Sequence, residues 1–244
     1  MRVVATIEAR MKSTRLPGKN LRQILGKPML ERLIERLRLA KTVDDIVIAT
    51  TDDPSDDSIE ALASRLGVAW FRGSTDDVLD RVLRAARNAN ADVIVEITGD
   101  CPLIDPAIVD KVVGVYQSNK FDYVSNIIKL TYPDGMDVQV FSTNVLEEVA
   151  HLTMDPADRE HVSLYIYEHP EKFALHNVVS GLAEKYWHYR LTVDTADDFA
   201  LITAIFKALY PINPRFGLGD VLALLERQPA LLELNRHITA KAVH

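Results

Sequence analysis

The sequence predicts an α/β fold, a mostly parallel sheet with helices on both faces. Three observations predict it. Short apolar, β-branched runs alternate with segments of helical period along the first half of the chain. The chain has 244 residues, 48% of them hydrophobic, enough for one α/β core without disulfides. Three polar loops, 8–20, 50–57 and 98–105, each follow a strand-like run. Right-handed crossovers bring such loops to one edge of a parallel sheet, where open α/β folds bind ligands.

The elements follow in order. Val3-Val4-Ala5-Thr6-Ile7 reads as a buried strand. Pro28 suits a first helical position, and Leu30, Leu33, Ile34 and Leu37 repeat at helical spacing. Ile46 to Thr50 reads as a second strand, and Ser58 to Leu66 as a helix closed by Gly67. Val68 to Phe71 reads as a strand, Val78 to Ala89 as a helix, and Val93 to Ile97 as a strand. Pro106 opens a helix to about Ser118, and Tyr123-Val124-Ser125 is strand-like. Beyond it Asp137 to Phe141 alternates like a strand, and Asn144 to Leu152 and Pro156 to Glu168 read as helices. Phe173 to Val179 and Tyr186 to Val193 read as strands, possible partners in an antiparallel pair. Asp197 to Ala208 and Leu218 to Arg227 close the chain as helices. The whole is one domain, with residues 126–184 expected as a small α+β subdomain inserted before the last strand.

Composition excludes several function classes. The net charge of −7 argues against nonspecific nucleic-acid binding. No apolar run approaches a membrane span, and with charge at Arg2, Glu8 and Arg10 no signal peptide is expected in residues 1–10. The single cysteine, Cys101, allows no internal disulfide and suits a reducing, cytoplasmic setting. Charge is segregated: residues 1–41 hold 11 Lys/Arg against 3 Asp/Glu, and residues 42–100 hold 5 against 13. A basic segment facing acidic neighbours suits a site that handles phosphates with a divalent cation, although solvated helix faces would segregate charge equally well.

Three motifs carry chemistry. Glu8 to Lys19, directly after the first strand, packs Arg10, Lys12, Arg15 and Lys19 among Ser13, Thr14 and Gly18. Such a loop can wrap a polyphosphate, with forked contacts from arginine and point charges from lysine. It lacks the first glycine of a Walker A loop and contains no G-x-G-x-x-G. As loop residues, Arg10 and Lys19 are expected to support no core. Asp100, in Thr98-Gly99-Asp100-Cys101-Pro102-Leu103, ends a strand and either holds Mg²⁺ against phosphate oxygens or shapes a turn. Asp194, in Val193-Asp194-Thr195-Ala196-Asp197-Asp198, has the same two possibilities, metal ligand or helix cap.

Taken together, A-R-M-x-S-x-R-L-P-G-K, G-D-C-P-L and V-D-T-x-x-D resemble the cytidylyltransferases that activate sugar acids, in the branch of the spore coat polysaccharide biosynthesis protein F. Phe71 to Arg81 and Pro133 to Phe141 fit the same branch, and the resemblance runs from Arg2 to about Tyr210. It implies a Rossmann-like nucleotidyltransferase that moves CMP from CTP onto a small anionic acceptor with Mg²⁺, and a homodimer. By the resemblance Ala9, Arg10, Arg15, Lys19 and Asp100 contact the nucleotide, with Arg10, Lys19 and Asp100 catalytic. Asp100 and Asp194 hold the metal. Thr51, Asp52 and Arg72 face the cytosine, and Asp134, Asp137 and His161 meet the acceptor. Position 8 is Glu8, where the resemblance implies Gln. The dimer is expected to cover Val138, Val140, Tyr165, Tyr167, Phe173 and Leu175. A nucleotidyltransferase using another base or a sugar phosphate, and a silent nucleotide-binding regulator, are the alternative readings; the stretch after Pro211 has no role in any of them.

Overall fold

The computed structural model describes residues 1–239. The first half forms β1 (Val3–Glu8), a hairpin of β2 (Gln23–Ile24) and β3 (Lys27–Pro28), α1 (Met29–Leu37), β4 (Asp45–Thr51), α2 (Asp57–Leu66), β5 (Ala69–Gly73), α3 (Val78–Asn88), β6 (Val93–Thr98) and α4 (Pro106–Ser118). The second half forms β7 (Tyr123–Ser125), β8 (Gln139–Ser142), α5 (Thr143–Leu152), α6 (Pro156–Glu160), α7 (Leu164–Glu168), β9 (Leu175–Asn177), α8 (Ala196–Leu209) and α9 (Leu218–Arg227).

Seven strands make one sheet in the order β5-β4-β1-β6-β8-β7-β9. The β1, β4, β5 and β6 pairings are parallel, as is β7 with β9; β8 alone runs against its neighbours. The apolar run of β1 follows from its position: Val3, Val4, Ala5 and Ile7 are buried because helices cover both faces. One core packs α1, α2, α4, α8 and α9 on one face, and a second packs α3, α5 and α7 on the other.

Helix ends follow local chemistry. Asp105 caps α4 by accepting from Ala107 N–H at 2.8 Å, with Pro106 at the first helical position. Gly67, at φ 62°, ends α2 in the left-handed conformation. Thr195 and Asp198 form a reciprocal capping box at the start of α8.

The second half departs from expectation in four places. Residues 126–184 build no sheet of their own: β8 inserts between β6 and β7, and β9 extends the edge. The helix expected over 156–168 breaks into α6 and α7. At the break Val162 takes φ 49°, and Ser163, fully buried, turns its hydroxyl onto Gln139 Oε1 at 2.6 Å. Only Leu175–Asn177 of the 173–179 run forms a strand, and it pairs in parallel with β7. Residues 186–193 form no strand: Tyr186 ends a 3₁₀ turn, Trp187 is helical in its backbone, and the rest bonds to loops, Leu191 N–H to Asp134 O at 2.8 Å and Val193 N–H to Asp100 O at 2.9 Å. Those two bonds carry Asp194 to the carboxyl edge of the sheet.

Candidate active site

The ends of β1 and β6 and the 191–194 segment converge on a cleft of about 310 Å³. Its floor is set by a close backbone approach. Gly99 N–H bonds Glu8 O at 3.0 Å, and a Cβ on Gly99 would lie 2.5 Å from that same oxygen. Across it runs the 9–18 loop, where Gly18 takes φ 71° and its N–H closes onto Met11 O at 2.9 Å. Asn20 holds the loop from below, donating to Arg10 O at 2.9 Å.

Lys19 is the centre of the charge arrangement. Its ammonium donates to Val193 O at 2.7 Å, Asp194 Oδ1 at 3.0 Å and Asp100 Oδ2 at 3.2 Å. Burial pulls this lysine's pKa down, but Asp100 and Asp194 outweigh it and hold the group above its ordinary value. Asp194 meets two further cations, Arg15 at 2.9 Å and Arg190 at 2.7 Å. Burial would raise the Asp194 pKa; Lys19, Arg190 and Arg15 hold it below the usual carboxylate range.

Two hard carboxylates thus share one cation, a donor set that suits Mg²⁺ completed by phosphate oxygens and water. Among the described residues no group of three or more His, Cys, Asp or Glu side chains is arranged to hold a metal by itself. Arg10 lines the cleft and its guanidinium makes no ion pair among the described residues. Ala9, Ser13 and Thr14 line it too, and Glu160 and His161 form a wall beyond α6, which is tied to α3 by Arg159 donating to Asp77 at 2.9 Å.

The structure therefore brings Ala9, Arg10, Arg15, Lys19, Asp100, His161 and Asp194 into one cleft. Thr51, Asp52 and Arg72 do not line this cleft. The Arg72 guanidinium is saturated by the 51–60 segment, donating to Thr51 O and Asp53 O at 2.8 Å, Asp57 at 2.6 Å and Glu60 at 3.0 Å. Thr51 bonds Asp56 through its hydroxyl, and Asp52 is exposed, with its N–H on Gly73 O. Asp134 and Asp137 do not line the cleft either. Asp134 pairs with Arg190 at 2.8 Å. Burial pushes the Asp134 carboxyl up to about 6, against the pull of Arg190, and burial together with Asp134 pushes Asp137 up to about 7.

Sequence reasoning missed Arg190, the clamp behind Asp194. It also bonds Asp198 at 2.9 Å, and Asn235 donates to Asp198 at 2.9 Å and to Arg190 O at 3.0 Å. The stretch after Pro211 thus buttresses the cleft from behind. Its signal in the sequence was weak, a lone basic residue four positions before Asp194. Glu8 and Arg81, also on the cleft wall, were read only as a departure and as part of a matching segment.

Comparison with known proteins agrees with this geometry. The family described as Cytidylyltransferase matches residues 4–227. The chain is 32% identical to the spore coat polysaccharide biosynthesis protein SpsF of Bacillus subtilis, over 93% of this chain and 95% of the relative. It superposes on the structure of a cytidylyltransferase from Leptospira borgpetersenii with a TM-score of 0.90 and 33% identity, covering 99% of this chain and all of the other. Two more distant structures share the fold: a CMP:2-keto-3-deoxy-manno-octonic acid synthetase complexed with CTP (TM-score 0.65, 19% identity, covering 85% and 99%) and the manganese complex of Rv0371c from Mycobacterium tuberculosis (0.59, 18%, covering 84% and 99%). Among the described residues no helix is long and apolar enough to cross a membrane.

Proposed function

The chain belongs to the cytidylyltransferase family, and from that premise we propose that it transfers CMP from CTP to a sugar acid or similar small acid, releasing pyrophosphate. The observation that carries this reading is the meeting of Asp100 and Asp194 on Lys19, beside the unpaired Arg10, at the carboxyl edge of the sheet. An oxygen of the acceptor attacks the α-phosphorus of CTP. The new O–P bond forms as the bond from the α-phosphorus to the bridging oxygen breaks, and the electron pair leaves with pyrophosphate. Where the attacking group is a hydroxyl, its proton is lost.

Negative charge accumulates on the α-phosphate and the leaving group. Arg10, Arg15 and Lys19 are the cations that can meet it, in a cleft where Lys19 is already desolvated. Asp100 and Asp194 would hold Mg²⁺, whose chemistry when bound is to neutralise phosphate charge. His161 faces the same cleft from the α6 side and is the residue we assign to the acceptor. A pyrophosphate-release assay over CTP, UTP, ATP and GTP, each against a panel of sugar acids, tests the reading. CTP with at least one acid should release pyrophosphate well ahead of the other nucleotides. Equal turnover with GTP or ATP, or no release with any acid, would overturn it.

We also assign a homodimer, on different residues from those the sequence suggested. Val138, Val140, Phe173 and Tyr165 are buried within the chain, so they need no partner. Among the exposed apolar residues, Ile128, Leu130 and Val179 are brought together at the β9 edge, where Lys129 N–H bonds Asn177 Oδ1 at 2.9 Å. An apolar sheet edge of this kind is normally covered. Light scattering at micromolar concentration should give twice the mass of the chain, and a monomeric mass would refute the assignment.

A further inference from the structure

One group of side chains in the cleft has no use in the reaction above. On the α3-facing side of the sheet Thr6 stands opposite Glu96, and Glu8 opposite Thr98. Arg81 of α3 covers them and is only 2% exposed. Four buried polar atoms here have no hydrogen-bond partner: Thr6 Oγ1, Glu8 Oε1, Arg81 Nε and Glu96 Oε2. Buried polar groups are seldom left this way, and a carboxylate and a guanidinium so placed ordinarily pair with each other. Glu8 and Arg81 instead both line the cleft, next to Val78 and the Ala9 methyl. Arg81 is held in place at its other end, where Nη1 donates to Ser74 O.

The chemistry restricts what can occupy this end. Phosphate is excluded by Glu8, with Glu96 close behind it. The walls offer a methyl and an isopropyl group, one acceptor and one donor. A flat, uncharged ring with hydrogen-bonding edges fits, and a nucleobase is such a ring. Along its pairing edge cytosine presents a donor (the exocyclic amine), then two acceptors (the ring nitrogen and the carbonyl). Uracil presents an acceptor first and a donor second.

We infer that Glu8 accepts a hydrogen bond from the exocyclic amine of cytosine while Arg81 donates to the ring acceptors, so that this pair selects CTP over UTP. The inference rests on the reading of CTP as substrate, and it gives Glu8 and Arg81 the task that the saturated Arg72 cannot perform. Burial and Glu96 push the Glu8 carboxyl well above its ordinary pKa, with Arg81 opposing and Asp100 adding to the rise. The amine contact survives in either protonation state, because the neutral acid keeps its carbonyl oxygen as an acceptor; in that state the discrimination falls to Arg81, which meets an acceptor at the ring nitrogen of cytosine and a donor at that of uracil.

The test is calorimetric titration of the full chain with CTP and with UTP, in Mg²⁺, for wild type, Glu8→Leu and Glu8→Gln, each with a melting curve. Wild type should favour CTP. Glu8→Leu should bind CTP about tenfold more weakly or worse while UTP is unchanged or improved, because a site that hydrogen-bonds its ligand discriminates through the unpaired group. Glu8→Gln is isosteric and guards against misfolding; its amide can also donate to the uracil carbonyl, so it narrows the ratio from the UTP side. Equal weakening of both nucleotides, or a wild-type ratio in both variants, overturns the assignment and leaves the substrate reading standing. A wild-type protein with no preference for CTP overturns the substrate reading and this inference with it.

Discussion

Removing the cation that Asp100 and Asp194 share should do two things that removing Arg10 does not do together. In Lys19→Met the side chain loses three bonds, at 2.7, 3.0 and 3.2 Å. Charge-assisted bonds are each worth about 1.5–3 kcal/mol, and the gain from no longer burying an ammonium offsets much of that. Lys19 is 9% exposed, so solvent screening is slight. Asp194 retains Arg15 and Arg190, whereas Asp100 retains no cation among the pairs described. A net loss of roughly 1–3 kcal/mol follows, which for a chain of this size lowers Tm by roughly 2–12 °C. Arg10→Ala breaks no ion pair and should melt within about 0.5 kcal/mol of wild type. Both variants should lose about ten- to hundredfold in kcat/KM, the worth of one phosphate contact. Thermal melts beside pyrophosphate-release kinetics read the two effects separately. A Lys19→Met protein that melts like wild type would refute the view that this lysine pins the 9–18 loop to the 191–194 segment. Wild-type kinetics in either variant would show that its side chain does not touch the triphosphate.

Three more outcomes are expected. Asp100→Asn and Asp194→Asn should each abolish most turnover, and the double variant should lose little more; Asp194→Asn alone should also melt measurably lower, because it leaves Lys19, Arg15 and Arg190 without their common carboxylate. Glu96 is pushed up to about 8 by burial, against its bonds to Ser163 and Gln139, so the folded chain keeps a proton that the unfolded chain releases near pH 4.5. Stability should therefore fall between about pH 4.5 and 8, by at most about 1.4 kcal/mol per pH unit, and Glu96→Gln should flatten that slope in denaturant titrations at pH 5 and pH 8. Gly99→Ala sets a Cβ 2.5 Å from backbone oxygen of Glu8, so it should cost more than about 2 kcal/mol by chemical denaturation; a wild-type midpoint would mean that the β1–β6 edge gives way easily.

The first half of the fold was legible because every signal there is local. β1, β4 and β6 are runs of buried residues, and α3 and α4 carry their own side-chain caps, as Asp105 does with Pro106 for α4. In the second half the deciding partners are distant. Residues 186–193 are rich in aromatic and β-branched side chains and so read as a strand, yet Tyr186 closes a 3₁₀ turn, and Arg190 and Thr192 bond to Asp134 and Asp100, 56 and 92 positions back. The 156–168 segment has helical period throughout, and what breaks it is a buried hydroxyl reaching Gln139, which no pattern within those residues records. The hydroxyl of Tyr123 meets the same oxygen at 2.6 Å, so the break belongs to a network assembled from three separate segments.

The same contrast divides the site. The meeting of Arg10, Arg15 and Lys19 was readable because they share one basic loop after the first strand, and that of Asp100 and Asp194 because each ends an extended run at one edge of the sheet. Arg72 does not line the cleft, for a physical reason that composition hides. It stands in an acidic neighbourhood, where Asp57 and Glu60 pair with it. Arg81 escapes that capture: its Nη1 bonds carbonyl groups of the preceding turn and its Nε has no hydrogen-bond partner among the described residues. Whether an arginine serves the fold or the ligand is thus decided by which acceptors reach it first. Asp194 shows the reverse case: it is so well supplied with cations that it stays ionised in a half-buried position, as a carboxylate that is to face phosphate or a metal must.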